Sequence, residues 1–355
     1  DPDYEVTIAV RLRRARPRRR AAIDAPPVIL MYHRVADLTL DPQLLAVGVE
    51  RFDQQIAALA ELGELMPLAE LAARLAAGKA ANGAVAITFD DGYADNLLAA
   101  KPILEARGAP ATMFVTAGMV NGDREFWWDE LERLLLATDV LPATMTLRTD
   151  KGDQPVALAA AARYDDDARR RDAGWSVEQP GFPTPRHMLY RYLQQTVHGL
   201  GDDQRRQGVL DAVAAWAGVS RTGRPSHRPL RAEEVAALAG GVTAVGAHTM
   251  THPMLALLPE DAQRREIIDS RRRLEDIVGA AVDLFAYPYG SASSFTPRAV
   301  AIVKEAGFAA ACSTRQAPVA AGDDLFALPR MTVRDWSAEE LERRLTDFRR
   351  QAAGG

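Results

Sequence analysis

The chain has 355 residues, of which 48% are hydrophobic and 26% charged, and its formal net charge is −5. This composition is typical of a soluble globular protein, and the length suits one large α/β domain with an insertion, or two domains. Residues 1–26 hold seven Arg and four acidic residues, a charge of +3, so the rest of the chain carries −8. An acidic body of this kind argues against a nucleic-acid enzyme.

The first segment of the chain contains an arginine-rich run from Arg11 to Arg20. Such a run could contact anionic lipid or nucleic acid, but we expect residues 1–26 to form a disordered, solvated tail. No stretch approaches the roughly 20 apolar residues of a membrane span. No secretory signal is visible, and the single cysteine, Cys312, excludes an intramolecular disulfide. We therefore expect a cytoplasmic protein.

From Pro27 onward, short apolar runs typical of strands alternate with amphipathic helical patterns, which predicts a parallel sheet with helices outside it. The predicted strands are Val28–Tyr32, Val85–Phe89, Thr112–Val115, Val242–Gly246, Leu284–Tyr287, Phe308–Cys312 and Leu325–Leu328. The predicted helices between them are Phe52–Leu62, Leu68–Ala77, Asp95–Arg107, Pro259–Val278, Pro297–Ala306 and Ala338–Arg350. Seven strands indicate an α/β fold, a distorted (β/α)7 barrel over residues 27–355.

Residues 119–231 interrupt this alternation and are predicted to form a mainly helical insertion, with helices at Asp129–Leu136, Pro185–Val197 and Asp203–Ala217. Because the insertion leaves and re-enters after barrel strands, we expect it to lie over the active-site face as a lid. Its histidines lack the spacing of metal ligands and are predicted at the surface: His187, His198 and His227.

Two short motifs, each following a predicted strand, carry the strongest functional signal. One is Thr88-Phe89-Asp90-Asp91-Gly92 and the other is His248-Thr249-Met250-Thr251-His252. By itself, each has a simpler explanation as a polar turn. Together they offer carboxylate oxygens and two imidazole nitrogens, the ligand set of a catalytic divalent metal with a position left open for water. Barrel enzymes place their chemistry at the carboxyl ends of the strands, where both motifs fall.

With Phe285-Ala286-Tyr287-Pro288-Tyr289-Gly290, these motifs resemble those of the polysaccharide deacetylases, carbohydrate esterase family 4. The resemblance covers residues 27–105 and 241–345. It implies the barrel fold, an N-acetylated sugar as substrate, and hydrolysis by a metal-bound water. The roles that it implies are general base for Asp90, metal ligation by Asp91, His248 and His252, and an oxyanion-binding backbone N–H on Tyr289. We expect one divalent ion, Zn²⁺ before Co²⁺, Ni²⁺ or Mn²⁺.

The chain departs from the family pattern at two places. Where many members have an arginine that braces the catalytic aspartate, this chain has Ala286 and Tyr287, and Arg330 could replace it from a neighbouring strand. No histidine follows His252, so the family's late general acid is absent. His33, at the end of the first strand, is predicted to be that acid, as in permuted members of the family. The alternative for His33 is a hydrogen-bonded core residue.

We therefore expect a metal-dependent hydrolase that removes an N-acetyl group from an amino sugar in a polysaccharide, oligosaccharide or glycoconjugate. Two alternatives stay open. One is an O-deacetylase, or a deformylase of a lipid-linked sugar, which would use the same residues. The other is a catalytically silent carbohydrate-binding barrel, because the arginine of the third motif is missing. In each case the expected partner is a carbohydrate.

Overall fold

The computed structural model describes residues 25–79, 81–149 and 152–350. The predicted disordered tail lies almost entirely outside the described residues. Within these ranges, every helix is too short or too polar to span a lipid bilayer.

A parallel sheet forms the centre of the molecule. The strands are β1 (Val28–Tyr32), β2 (Arg34–Val35), β3 (Ala46–Val47), β4 (Glu64–Leu65), β5 (Ala84–Phe89), β6 (Ala111–Val115), β7 (Thr144–Thr149), β8 (Gly152–Ala157), β9 (Thr243–Ala247), β10 (Leu284–Ala286), β11 (Ala310–Cys312) and β12 (Met331–Thr332). Seven of them pair in the order β11-β10-β9-β6-β5-β1-β12, and all these pairings are parallel. The α/β class and the distorted barrel predicted from the sequence are confirmed.

Helices surround the sheet and follow the predicted pattern closely. Those of the barrel are Val49–Leu62, Leu68–Ala76, Lys101–Arg107, Ala232–Leu238, Glu260–Val278, Pro297–Glu305 and Ala338–Arg350. Those of the insertion are Trp127–Glu132, Asp166–Asp172, Pro185–His198 and Asp203–Ala217. Two predicted helices contain a π-helical part, at Asn96–Ala100 and Arg133–Ala137.

The barrel is closed by the segment from Leu328 to Thr332, and here one prediction is wrong. Leu325–Leu328 is not a strand, and the strand lies at Met331–Thr332 instead. Leu328 makes a single parallel bridge to Cys312, while Met331 pairs with Leu30 of β1. Proline has no N–H to donate to a ladder, so Pro329 separates the two pairings. One short segment thereby joins both edges of the sheet.

Burial on both faces explains why the strands could be predicted so well. All six residues of β5 and all five of β6 are buried. Parallel strands covered on both faces appear in the sequence as continuous apolar runs. The polar residues that follow these runs, at the carboxyl ends of the strands, are therefore easily distinguished from the core.

The insertion has a hydrophobic core of its own, which includes Trp127 and Trp128. It also contains an antiparallel hairpin, β7–β8, that was not predicted. Alternating burial marks β7, where Met145 and Leu147 are buried between exposed neighbours, and this period of two was a signal in the sequence.

The prediction that the insertion histidines lie at the surface is wrong. His187 is 1% exposed and His227 is 6% exposed. His187 packs against Trp175 inside the insertion core. Sequence spacing correctly indicated that these side chains are not a ligand set, but it does not report which distant residues cover them.

Candidate active site

A cavity of about 360 Å³ opens at the carboxyl ends of the barrel strands. It is lined by six of the seven predicted site residues: His33, Asp90, Asp91, His248, His252 and Tyr289. Asp90 directly follows β5, His248 directly follows β9 and His33 directly follows β1. The parallel barrel thus brings together residues that are up to 256 positions apart, from His33 to Tyr289. The insertion supplies part of the wall, through Trp127, Trp128, Val177, Glu178, Gln194 and His198.

Three buried side chains form a ligand cluster. Nε2 of His252 lies 3.2 Å from Oδ1 of Asp91, and Nε2 of His248 lies 3.6 Å from the same oxygen. One ligand atom from each residue lies within 4.8 Å of the others. Nδ1 of His248 is 2.7 Å from the carbonyl oxygen of Ala286. Because only a protonated Nδ1 can donate there, the lone pair of Nε2 is left for a metal ion.

The protonation states suit the same purpose. Burial lowers the pKa of His252 to about 4 against the opposing effect of Asp91, so its imidazole is neutral at pH 7. Burial would raise the pKa of Asp91, but hydrogen bonds from His248 and His252 outweigh it and hold that pKa below its usual range. Metal ions bind neutral imidazole and ionised carboxylate. The donor set, its tautomer and its charge therefore fit one divalent cation.

The backbone of the site is held in an unfavourable conformation. Among the described residues, seven that are not glycine have a positive φ angle, and four of these belong to the site: Asp91 (75°), Thr249 (63°), His252 (55°) and Tyr289 (60°). Each costs on the order of 1–3 kcal/mol and persists only where the surrounding structure imposes it. The loop between His248 and His252 must therefore be held firmly by its neighbours.

Three neighbours hold this loop, and the sequence analysis identified none of them. The Glu266 carboxylate accepts the backbone N–H groups of Met250 and Thr251, each at 2.8 Å. The Gly118 N–H donates to the Met250 carbonyl at 2.8 Å. Arg206 of the insertion donates to two further carbonyls of the loop. Arg206 shares the buried stripe of its helix with Leu210, Val213 and Ala217, and a charged residue at an apolar helical spacing was the available signal.

Arg330 lies behind Asp90 and does not line the cavity. Its Nη1 and Nη2 atoms each lie 2.7 Å from one carboxylate oxygen of Asp90, and its Nε donates to the Ser313 carbonyl at 2.9 Å. Burial would raise the pKa of Asp90, but the charge of Arg330, assisted by His248, keeps it below its ordinary value. Asp90 is thus an ionised carboxylate that a buried arginine orients.

His33 lies half-buried at the cavity wall, with its backbone carbonyl accepting a hydrogen bond from the Asn96 side chain at 2.8 Å. Burial lowers the pKa of His33, while Asp91 and Asp90 act in the opposite direction and Arg334 and Arg330 add to the lowering. A protonated imidazole in this position is a stronger acid than histidine in water. The ring is placed to exchange a proton with a molecule bound in the cavity.

Tyr289 contributes both its backbone and its ring. The ring packs edge-on against His252, with a centroid distance of 4.8 Å, and against His198, at 4.4 Å. The Trp127 indole N–H donates to the Tyr289 hydroxyl at 3.3 Å. Burial raises the pKa of Tyr289 to about 12, opposed by the charge of Arg206. His198, predicted at the surface, instead lines the cavity through these contacts.

Comparison with known proteins agrees with this arrangement. The sequence model of the polysaccharide deacetylase family matches residues 77–140 and 220–311. These segments contain Asp90, Asp91, His248, His252 and Tyr289, whereas His33, Arg330 and the middle of the insertion lie outside them. No curated protein matches the sequence.

Several solved structures share the fold. IcaB from Ammonifex degensii is 19% identical, with a TM-score of 0.54, and the match covers 91% of this chain and 96% of that one. The Streptococcus pyogenes deacetylase PplD, solved in complex with acetate, is 17% identical, with a TM-score of 0.51 and coverage of 90% and 98%. BC0361, a polysaccharide deacetylase from Bacillus cereus, is 16% identical, with a TM-score of 0.52 and coverage of 90% and 68%.

The family match includes the two motifs that supply the ligand cluster and the adjacent carboxylate, and the barrel that carries them is the one these structures share. The chain therefore belongs to the polysaccharide deacetylase family.

Proposed function

We propose that the protein is a metal-dependent hydrolase that removes the N-acetyl group from an amino sugar in a polysaccharide, oligosaccharide or glycoconjugate. The observation that carries the proposal is the ligand cluster of Asp91, His248 and His252 beside a carboxylate held by arginine, inside one cavity. A divalent ion bound there would lower the pKa of a water molecule towards ~7 and polarise the acyl oxygen.

The residues around the cluster supply the other requirements of amide hydrolysis. Asp90 is ionised and faces the cavity, so it can accept the proton of the attacking water. The backbone N–H of Tyr289 is proposed to donate to the oxygen that becomes negative in the transition state. His33 is proposed to protonate the leaving nitrogen, since an amine does not leave as an anion. The carbonyl carbon then gains the water oxygen and loses the sugar nitrogen, giving acetate and the free amine.

The surroundings of Asp90 weaken the case for a silent carbohydrate-binding barrel. That alternative rested on the missing family arginine, and Arg330 provides a guanidinium to the same kind of carboxylate. An O-deacetylase or deformylase would use the same cluster, and only the substrate tells these apart.

The test is acetate release from a panel of N-acetylated, O-acetylated and N-formylated sugars, with metal-stripped protein and then with metal restored. Metal-dependent acetate release from the N-acetylated members would support the proposal. Turnover confined to the O-acetyl or N-formyl members would favour the corresponding alternative. Sugar binding without turnover at any metal concentration would contradict an enzymatic role.

A further inference from the structure

The insertion reaches the metal-binding loop through one buried arginine. Arg206, on the helix Asp203–Ala217, is only 2% exposed. Its Nη1 donates to the carbonyl oxygen of His252 at 2.8 Å, and its Nη2 donates to that of Thr251 at 2.7 Å. A guanidinium has five N–H donors in a rigid planar fork and can bind two adjacent carbonyls at once. The insertion is thus bonded directly to the residue pair that ends the second metal-binding motif.

The loop is held from two opposite chemical sides. Glu266, from the barrel helix Glu260–Val278, accepts the N–H groups of Met250 and Thr251, whereas Arg206 binds the carbonyls of Thr251 and His252. Within this loop both Thr249 and His252 have the left-handed backbone that costs free energy. Without Arg206, two carbonyls lose their donor in a buried region, and the strained turn at His252 loses a constraint.

We propose that Arg206 is a positioning residue that keeps His252 in its metal-binding geometry, so that the insertion is part of the scaffold of the metal site as well as a wall of the cavity. The inference rests on the proposed function in one respect, the binding of a metal by Asp91, His248 and His252. It goes beyond that function by giving the insertion a role in metal affinity.

The full chain offers a matched control. Arg186, on the insertion helix Pro185–His198, is 0% exposed and also donates to several backbone carbonyls, all of them within the insertion. Both arginines therefore bind carbonyls in a buried region, but only Arg206 contacts the metal-binding loop. Substitution of either should destabilise the fold, whereas only Arg206 should affect the metal.

The experiment compares Co²⁺ affinity, measured from the visible absorption of the bound ion, in the wild type, Arg206→Met, Arg206→Lys and Arg186→Lys. Metal affinity is measured on folded protein, checked by circular dichroism. We expect Arg206→Met to lose about 10–100-fold in Co²⁺ affinity, the usual effect of removing a group that orients a ligand. Arg206→Lys should lose less, because an ammonium can still donate to one carbonyl. Arg186→Lys should bind Co²⁺ like the wild type despite a lower melting temperature.

Three results would overturn the inference. Unchanged Co²⁺ affinity in Arg206→Lys and Arg206→Met would do so while leaving the proposed function intact. An equal loss of affinity in Arg186→Lys would replace it with a general effect of destabilisation. A wild type that binds no divalent metal would contradict the proposed function itself and the inference with it. If Arg206→Met does not fold, the comparison of the two lysine variants decides.

Discussion

Arg330 and Asp90 form a buried ion pair with two parallel hydrogen bonds of 2.7 Å, although 240 positions separate them in the chain. Asp90 directly follows β5, and Arg330 directly precedes β12, on the segment that closes the barrel. The arginine reaches the carboxylate because that segment passes beside β1, the neighbour of β5. The guanidinium that the family motif lacks at Ala286 and Tyr287 is thus supplied from the other side of the barrel.

The ion pair leads to a prediction about pH dependence. In Arg330→Met, burial of Asp90 is no longer offset, so its pKa rises and the base is protonated at mildly acidic pH. The acidic limb of the kcat/KM profile for acetate release should therefore move to higher pH. Arg330→Lys keeps the charge and should move the limb less. An acidic limb that stays in place in Arg330→Met would mean that Arg330 does not control the ionisation of Asp90.

The two neighbouring aspartates of the first motif should separate in their effects. Asp90→Asn removes the proposed base and should lower kcat by at least ~100-fold, while the protein still binds one equivalent of Zn²⁺. His248→Ala removes a ligand, so metal content and activity should both be lost. Metal content measured by atomic emission, together with acetate release, distinguishes the two. Normal metal content in His248→Ala would contradict its assignment as a ligand.

His33 should matter only when the leaving group needs a proton. His33→Ala should lower kcat on an N-acetylated sugar by about 10²–10⁴-fold, with unchanged Zn²⁺ affinity. An aryl acetate releases a phenolate that leaves without protonation, so the same variant should hydrolyse it at nearly the wild-type rate. An equal loss of activity on both substrates would exclude His33 as the general acid.

Gly118 should be irreplaceable for steric reasons. A Cβ at this position would lie 2.3 Å from the carbonyl oxygen of Met250 in the metal-binding loop. Gly118→Ala must displace that loop, so it should reduce Zn²⁺ affinity and cost about 1–3 kcal/mol of stability. Gly208, where an added Cβ meets nothing within 4 Å, is the control. Gly208→Ala lies in a helix and should leave metal affinity unchanged and raise the melting temperature slightly.

Buried histidines outside the ligand cluster should make the protein sensitive to acid. Burial, assisted by Arg34 and Arg224, lowers the pKa of His227 to about 2, and burial lowers that of His187 to about 4. Both folded-state values lie below the ordinary pKa of ~6.5, so the unfolded chain binds more protons between them. The stabilisation is complete above pH ~6.5 and declines as the pH falls towards the folded-state values.

Melting temperatures measured from pH 7 to pH 4 test this directly. The wild type should lose stability progressively over this range, by up to ~1.4 kcal/mol per pH unit for each buried histidine. His227→Gln should lose stability less steeply with acid, because one titrating group is gone. The same slope in both proteins would show that His227 is not kept neutral by the fold.

The sequence by itself predicted the barrel strands and most of the site, because both depend on local signals. Buried parallel strands are continuous apolar runs, and five of the seven predicted barrel strands differ from the observed ones by at most one residue at either end. The residues that end these runs, among them Asp90, His248 and His33, are the ones that the barrel brings to one cavity. The strand at Leu325–Leu328 was misplaced because an apolar run does not reveal where its pairing partners lie.

The tertiary structure alone decided which polar side chains act together and which are buried. Arg206 and Arg186 have similar spacing on their helices, yet only one contacts the metal-binding loop. His198 lines the cavity and His187 packs in the insertion core, although both come from one helix. Period and dihedral preference are properties of neighbouring residues, whereas the partner of a buried charge depends on which distant segments pack against it. That is why the ligand cluster could be inferred from the sequence and the residues that hold it in place could not.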